Sequence, residues 1–270
     1  MTIAELVEDR VVEGVFAVQT KRKLRTRAGA PYLALELVDP TGRIDARVWQ
    51  DVDLLDGRFD EGDAVRVLGR VERFRDRLQL DVRAVEAAEV DPESLTPAIR
   101  RDPDELRGFL DFLVEEVSHP GLAATTRAVL AEHPLGAHPA TPDDHHSYAG
   151  GLLEHTVGVA TLCREAAQLH PRLRADLLLA AALVHDVGRT LELGRGPAFA
   201  VTEEGRLLGH VHLGVRLVER HAEGLTAGQT AELVHCVASH HDGRAARTAE
   251  AAVLHHANAI DAAAATRRVD

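Results

Sequence analysis

The sequence predicts a multidomain α and β protein in which a small β-barrel is followed by an all-helical domain. Residues 11–87 alternate apolar and polar side chains in short runs separated by turn residues, which is typical of β-strands. The chain beyond residue 150 is rich in Ala and Leu with helical spacing. All 16 histidines lie at or after His119, so we expect the two parts to carry out different chemistry.

Five β-strands are predicted in the first part of the chain. They cover residues 11–18, 32–38, 43–49, 64–71 and 78–82, with turns at Asp39-Pro40-Thr41-Gly42 and Glu61-Gly62-Asp63. Five strands with a glycine in the fourth indicate a small closed barrel of the OB type. Phe16 and Trp49 are expected in the barrel core.

Basic residues concentrate in the two connections that grip single strands in OB folds. The first connection carries Lys21, Arg22, Lys23, Arg25 and Arg27, and the later hairpin carries Arg73, Arg75 and Arg77. Tyr32 is an aromatic side chain available to stack on bases. These residues predict a surface for single-stranded nucleic acid. The alternative is an ordinary solvated loop, because residues 1–90 hold 15 Lys and Arg against 18 Asp and Glu.

A segment with two prolines, Asp91 to Pro97, follows the barrel. We expect a nucleic-acid-binding domain at residues 1–90, a linker and helical region at 91–142, and an all-α domain at 143–270. Apolar spacing predicts the first helices at residues 104–117 and 121–132.

The composition narrows the class of protein. The net charge of −12 argues against wholesale electrostatic binding of nucleic acid, although a local basic patch is compatible with it. Cys163 and Cys236 lie far apart in apolar segments, which predicts reduced, packed thiols and no disulfide framework. No secretory signal and no run of about 20 apolar residues is evident. We therefore expect a cytoplasmic protein without a membrane partner.

The apolar run from Leu177 to Val184 leads directly into the pair His185-Asp186. A buried carboxylate is costly unless it is paired or bound to a cation, and imidazole with carboxylate suits divalent transition metals. Further candidate ligands beside apolar helical sequence are His155, His210, His240 and His241. Any one of these alone would more often be an ordinary core or surface histidine. Together with His185, and with His255-His256 on the last helix, these histidines recur on five separate helices, which predicts a metal site.

The ordered motifs identify a family resemblance. The phrases HHSYAGGLLEHT, ALVHDVGRTLEL, EEGRLLGHVHLG and SHHD, behind an OB module, resemble the HD superfamily of metal-dependent phosphohydrolases, and most closely the YhaM-type 3′–5′ exoribonucleases. The resemblance implies an HD domain at residues 143–270. It also implies one metal on His155, His185 and Asp186, with Asp186 bridging to a second metal on His210, His240 and His241. Two divalent ions per chain are expected, Mn²⁺ first, with Fe²⁺, Co²⁺ or Zn²⁺ as alternatives.

Two positions depart from the family pattern. Asn258 stands where the last ligand is usually Asp, so the first metal should be held more weakly, or by a nearby group such as Asp261. Arg189 stands where Lys is common after the His-Asp pair. With Asp186 it is a candidate catalytic residue, because a guanidinium grips phosphate oxygens well but donates protons poorly.

The function implied by the resemblance is two-metal hydrolysis of single-stranded RNA from the 3′ end, with single-stranded DNA as a further substrate. One alternative is an HD phosphohydrolase of small nucleotides. Another is a non-catalytic nucleic-acid-binding protein whose metal site has decayed at Asn258. The sequence leaves a homo-oligomer open.

Overall fold

A computed structural model describes residues 1–99, 101–142 and 144–266, and it contains two compact units. The first unit comprises Met1–Ala98 together with Arg195–Ala200, and the second comprises the other described residues from Ile99 onward. The first unit is a β-barrel and the second is helical. The predicted fold class is therefore confirmed.

Five strands form the closed barrel, in the spatial order β1-β2-β3-β5-β4. They are β1 (Val11–Arg25), β2 (Pro31–Asp39), β3 (Gly42–Val48), β4 (Ala64–Phe74) and β5 (Arg77–Ala87), and the short helix α1 (Val52–Asp56) lies between β3 and β4. The β3–β5 pairing is parallel and the other four are antiparallel. Alternating Leu, Val and Phe side chains fill the interior, with Phe16 fully buried as predicted.

A β-bulge in β1 reverses which side chains point into the barrel. Before the bulge, the even-numbered residues Val12, Phe16 and Val18 are buried. The register against β2 shifts between Val18 and Thr20, where Gln19 is the additional residue. After it, the odd-numbered Lys21 lies opposite buried Leu35. A residue inserted into one strand of a ladder has this effect, because side chains alternate with a period of two.

The basic residues predicted for the first connection of the barrel lie mostly on strand β1, so their predicted position was wrong. Lys21, Arg22, Lys23 and Arg25 lie on strand β1, and the connecting loop contains Arg27. Pairing with β2 continues to Arg25 opposite Pro31, so the strand runs much farther than its apolar part, 11–18, indicates.

The prediction that Trp49 lies in the barrel core is wrong. Strand β3 ends at buried Val48, so the next residue in the alternation faces outward, and Trp49 is 49% exposed. Its ring stacks on Tyr32, with the centroids 4.8 Å apart and the planes inclined by 28°. The two aromatic rings form a pair on the outer surface of the barrel.

The second unit is built from eight helices within the described residues. They are α2 (Pro103–Glu115), α3 (Pro120–Glu132), α4 (Gly151–Leu169), α5 (Ala175–Val184), α6 (Arg189–Glu192), α7 (Glu203–Arg220), α8 (Ala227–Ser239) and α9 (Ala249–Thr266). Every residue of α5 from Leu177 to Val184 is buried, because α3, α4, α8 and α9 all pack against this helix. Helix α5 is therefore the centre of the domain, and its end places the next residues deep in the core.

The two thiols are packed as predicted. Cys163 on α4 and Cys236 on α8 are both free and fully buried, and burial raises the pKa of each thiol to about 12. A search of the described helices for a segment long and apolar enough to cross a membrane finds none.

Candidate metal centre

The end of α5 delivers a buried carboxylate to the middle of the domain. His185 and Asp186 follow Val184 directly, and both are almost completely inaccessible to solvent. The two oxygens of Asp186 face different histidines. Oδ2 lies 3.7 Å from Nε2 of His155, whereas Oδ1 lies 3.2 Å from Nε2 of His240. One carboxylate thus contributes to two groups of ligands.

The first cluster contains His155, His185 and Asp186. The Nε2 atoms of the two histidines are 3.2 Å apart, and Nε2 of His185 lies 3.8 Å from Oδ2 of Asp186. All three residues are buried, and their ligand atoms lie within 4.8 Å of one another. The structure therefore brings together the three residues predicted for the first metal.

The second cluster contains Asp186, His210, His240 and His241. Nε2 of His210 lies 3.4 Å from Oδ1 of Asp186 and 2.9 Å from Nε2 of His241. The four ligand atoms again lie within 4.8 Å of one another. This set matches the residues predicted for the second metal.

The ring nitrogens that face away from Asp186 meet groups that fix the orientation of each ring. Nδ1 of His185 donates to the carbonyl oxygen of Ala182 at 2.8 Å, and Nδ1 of His240 donates to that of Val237 at 2.6 Å. Histidines that bind metals commonly use the second nitrogen in this way. These bonds leave the Nε2 lone pairs of both rings directed at the carboxylate.

The chemistry of the donor set fits a divalent cation. Oδ1 of Asp186 and Nε2 of His240 are buried, and neither has a hydrogen-bond partner among the residues that the structure describes. Burial lowers the pKa of His185 to about 3, and partial loss of hydration together with the neighbouring His240 lowers that of His241, an exposed residue, to about 3, so both imidazoles are neutral and have a free lone pair at physiological pH. Burial opposes ionisation of Asp186, and the positive charge of Arg189 is the largest of the influences that nevertheless hold the pKa of the carboxyl well below its usual value. Neutral imidazoles around an ionised carboxylate are the ligands that transition metals require.

Helix α7 reaches the centre through a kink at Gly209. The sequence predicts that a helix opens at His210, but α7 already begins at Glu203 and contains the non-helical Gly209, at φ 70° and ψ 155°. A side chain would be strained at this positive φ. The kink frees the backbone N–H of His210, which donates to Oε1 of Glu192 at 3.2 Å.

Glu192 is a functional residue that the sequence analysis missed. Its Oε2 lies 3.1 Å from Nδ1 of His210 and accepts a hydrogen bond from Nη1 of Arg189 at 2.6 Å. Nε of Arg189 is buried, has no hydrogen-bond partner in the described part of the chain, and lies 3.8 Å from Oδ2 of Asp186. The i, i+3 spacing of Arg189 and Glu192 on one helix was the available signal. Glu192 therefore orients both a candidate ligand and the candidate catalytic arginine.

Asn258 and Asp261 occupy neighbouring turns of α9. Asn258 is buried, and its side chain makes no hydrogen bond within residues 1–99, 101–142 and 144–266. Asp261 was a possible substitute ligand, but Oδ2 of its carboxylate accepts from Nδ1 of His155 at 2.7 Å. This is the nitrogen on the far side of the ring from Asp186, so the carboxylate lies behind His155 rather than within the first cluster.

The predicted nucleic-acid-binding residues of β1 divide between two surfaces. Nζ of Lys21 donates to the carbonyl oxygens of Asp56 and Phe59, and its side chain is only 8% exposed. Lys23 forms ion pairs with Asp53 and Asp56. Arg22 lies opposite outward-facing Ala34, and Arg47 lies opposite the same alanine from the other side. Arg22 therefore shares the outer face with the aromatic pair, whereas the two lysines anchor α1.

The remaining basic residues lie at two hairpins. Nη1 of Arg25 donates to the carbonyl oxygen of Gly29 at 2.8 Å, and Arg27 is exposed in the same turn. At the β4–β5 hairpin, Arg73 forms an ion pair with Glu8, Arg75 lies over the ring of Phe74, and Arg77 is exposed. The sequence analysis missed Arg47, whose position depends on the pairing of β2 with β3.

Comparisons with known proteins agree with this architecture. Residues 152–263 match the HD domain family, and residues 15–88 match an OB-fold nucleic acid binding domain family. The barrel is similar to a domain of replication protein A from Methanococcus maripaludis. The crystal structure of that domain has 25% identity over 34% of this chain and 97% of that chain, with a TM-score of 0.30. The solution structure has 24% identity over 33% and 95%, with a TM-score of 0.28.

The comparison with whole proteins gives the family. The chain is 30% identical over 249 residues to the 3′-5′ exoribonuclease YhaM of Geobacillus sp. (strain WCH70), which covers 87% of this chain and 76% of that protein. The resemblance found in the sequence motifs is therefore confirmed. The chain, a metal-dependent hydrolase that joins an OB-fold domain to an HD domain, belongs to the YhaM family.

Proposed function

We propose that this protein is a 3′–5′ exoribonuclease that hydrolyses single-stranded RNA with two divalent ions. The observation that carries the proposal is the position of Asp186, whose two oxygens face two separate histidine clusters. A carboxylate shared in this way is typical of sites that hold two ions a few ångströms apart. The preference for RNA and the direction of degradation rest on the similarity to the Geobacillus exoribonuclease.

Seven residues would hold the ions. His155, His185, Oδ2 of Asp186 and Asn258 would hold the first, and Oδ1 of Asp186, His210, His240 and His241 would hold the second. Bound divalent ions supply Lewis acidity and an activated water at neutral pH. We propose Mn²⁺, and the mixed imidazole and carboxylate set also suits Fe²⁺, Co²⁺ or Zn²⁺.

Arg189 is the group of this chain best placed to bind the scissile phosphate. Glu192 accepts a hydrogen bond from one side of its guanidinium, and the buried Nε, which lies 3.8 Å from Oδ2 of Asp186, has no hydrogen-bond partner within the described residues. A phosphate oxygen that accepts from this nitrogen would satisfy it. Because arginine keeps its proton, Arg189 would stabilise negative charge without acting as a general acid.

The outer face of β1, β2 and β3 would hold the RNA strand. Tyr32 and Trp49 offer a stacked aromatic surface, and Arg22 and Arg47 add positive charge in the adjacent row of the sheet. Bases stack on aromatic rings while arginines contact phosphates, which is how single strands are bound without sequence preference. Arg27, Arg73, Arg75 and Arg77 would extend this surface at the two hairpins.

Single-stranded RNA labelled at either end and incubated with Mn²⁺ tests this function. The 3′ label should be released at once as a mononucleotide, whereas the 5′-labelled strand should shorten step by step on a gel. Turnover of free nucleotides without turnover of RNA would instead identify a small-nucleotide phosphohydrolase. RNA binding without any metal-dependent cleavage would identify a binding protein with a decayed site.

Substituting Asn258→Asp should tighten the first metal site. A negative charge added at ligand distance is worth at least about 1.4 kcal/mol, so the metal concentration for half occupancy should fall roughly tenfold or more. Isothermal titration of the metal-free protein measures this, with Asn258→Ala as the opposite change. If neither substitution alters the titration, Asn258 lies outside the set of ligands.

Substituting Lys21→Met should destabilise the barrel rather than weaken RNA binding. The ammonium bonds two backbone carbonyls beside α1, and buried charge-assisted hydrogen bonds are worth about 2–3 kcal/mol. Urea unfolding followed by the fluorescence of Trp49, the single tryptophan, should report this loss. The exposed neighbour Arg22→Ala is the matched control and should leave the unfolding free energy unchanged. An equal loss in both variants would contradict the assignment.

A further inference from the structure

A third group of titratable side chains lies behind His155. His146, His155 and Asp261 bring their nitrogen and oxygen atoms within 4.8 Å of one another. They lie on the Nδ1 side of His155, whereas the first metal cluster lies on its Nε2 side. His155 is therefore the one residue that the two groups share.

This third group is satisfied by its own hydrogen bonds. A single oxygen, Oδ2 of Asp261, accepts from Nδ1 of His155 at 2.7 Å and from Nε2 of His146 at 3.0 Å. These are ordinary hydrogen-bond lengths between a ring N–H donor and a carboxylate oxygen. The clusters around Asp186 differ, because there Oδ1 of Asp186 and Nε2 of His240 have no hydrogen-bond partner in the part of the chain that the structure describes. The third group is therefore a hydrogen-bonded support and the other two are candidate metal sites.

The hydrogen bond from His155 to Asp261 determines which nitrogen of His155 is available. An ionised carboxylate only accepts, so Nδ1 of His155 carries the proton. Nε2 then has the lone pair, and it faces His185 and Asp186 at 3.2 and 3.7 Å. The carboxylate of Asp261 thus selects the tautomer that the first metal site needs.

A glycine on α4 makes room for this carboxylate. A Cβ added at Gly158 would lie 2.2 Å from Oδ1 of Asp261, closer than any two such atoms can approach. Oδ2 of Asp261 can reach His155 because position 158 has no side chain. The substitution Gly158→Ala, which adds one methyl group, would therefore displace the carboxylate of Asp261 without removing it.

On the other side of the group, His146 is connected through Tyr148 to Glu154, near the start of α4. Nδ1 of His146 lies 2.8 Å from the hydroxyl of Tyr148, and that hydroxyl donates to Oε2 of Glu154 at 2.5 Å. The chain of contacts holds His146 in place, and His146 in turn holds Asp261. Four side chains thus converge on the orientation of a single ligand imidazole.

The charge of the first cluster explains why this support matters. Asp186 is its one carboxylate and is shared with the second cluster, and Asn258 adds no charge. A carboxylate bound to the outer nitrogen of a ligand imidazole raises the basicity of the inner nitrogen. We infer that Asp261 is a positioning residue that orients His155 and supplies, from behind the ring, negative charge that Asn258 lacks. The inference rests on the proposed two-metal function.

Titration of the metal-free protein with Co²⁺, followed by visible absorption, tests the inference. The wild-type protein should show two binding steps. Asp261→Asn, which keeps the shape and removes the charge, should weaken one step roughly 10- to 100-fold and leave the other unchanged. Gly158→Ala should weaken the same step, because the added methyl group displaces the carboxylate. The melting temperature of each metal-free variant, measured alongside, separates this effect from a general loss of stability.

Gly108→Ala is the matched control for the added methyl group. Gly108 is also helical, on α2, and a Cβ there meets nothing within 4 Å, so both Co²⁺ steps should remain as in the wild type. If Asp261→Asn titrates as the wild type does, or loses both steps equally, the positioning role is wrong. If the wild-type protein itself takes up no Co²⁺, the proposed function fails, which is a separate result.

Discussion

The substitution Asp186→Ala should remove both divalent ions and reduce RNA hydrolysis at least about 10³-fold. Each oxygen of this carboxylate faces one histidine cluster, and no other carboxylate is common to the two clusters within the described residues. Several kcal/mol of transition-state stabilisation depends on the ions, which corresponds to a rate loss of this size or larger. Elemental analysis of the reconstituted protein measures the ions, and cleavage of labelled RNA measures the rate.

Two single-cluster variants make the result specific. His155→Ala should lose the first ion and keep the second, whereas His210→Ala should lose the second and keep the first. Asp111→Ala, at an exposed position on α2, is the control for removal of a carboxylate elsewhere. A protein with Asp186→Ala that still retains one ion would show that the carboxylate is an ordinary ligand rather than a bridge. Asp186→Asn gives the same comparison with the shape preserved.

The second large effect should follow from Trp49→Ala. Stacking of a base on an aromatic side chain is worth about 1–3 kcal/mol, so the dissociation constant for long single-stranded RNA should rise roughly 5- to 150-fold. Fluorescence anisotropy of labelled RNA, with metal chelated to prevent cleavage, measures this. Hydrolysis of an activated phosphodiester, which needs only the metal centre, should be unchanged.

Two further variants define the binding face. Phe109→Ala removes an aromatic ring of similar exposure on α2 and should leave RNA binding unchanged. Neutralising Arg22 and Arg47 should make the salt dependence of binding shallower, by about 0.7 for each phosphate that the protein no longer neutralises. An equal loss on long RNA and on the activated phosphodiester after Trp49→Ala would indicate that the ring supports the fold instead.

The features predicted correctly from the sequence are those with a local signal. Alternation of apolar residues gives the strands, and the apolar run 177–184 gives the buried helix that ends at Val184, directly before His185 and Asp186. Histidines beside apolar helical sequence predicted candidate metal ligands, and the structure brings these side chains together around Asp186. These patterns are readable within about ten residues of sequence.

The features that the sequence did not reveal depend on contacts between distant residues. Asp261 meets His155 across 106 positions, and Glu192 meets His210 across 18. Because a periodic sequence pattern relates only residues that are close in the chain, it cannot predict such pairs. The contacts that orient His155 and His210 are visible only once the helices have packed. The exposed position of Trp49 likewise depends on where β3 ends.

The bulge at Gln19 has a consequence for how this strand tolerates changes in length. Beyond it, residues that anchor α1 and residues that face outward alternate along one strand, as Lys21, Arg22 and Lys23 show. Deleting Gln19 would exchange the two sets, so that a guanidinium would enter the apolar interior and the lysines would face solvent. Insertions at the Thr26–Ala30 turn change neither set. We therefore expect homologous chains to vary in length at this turn and to keep the spacing between Val18 and Lys21.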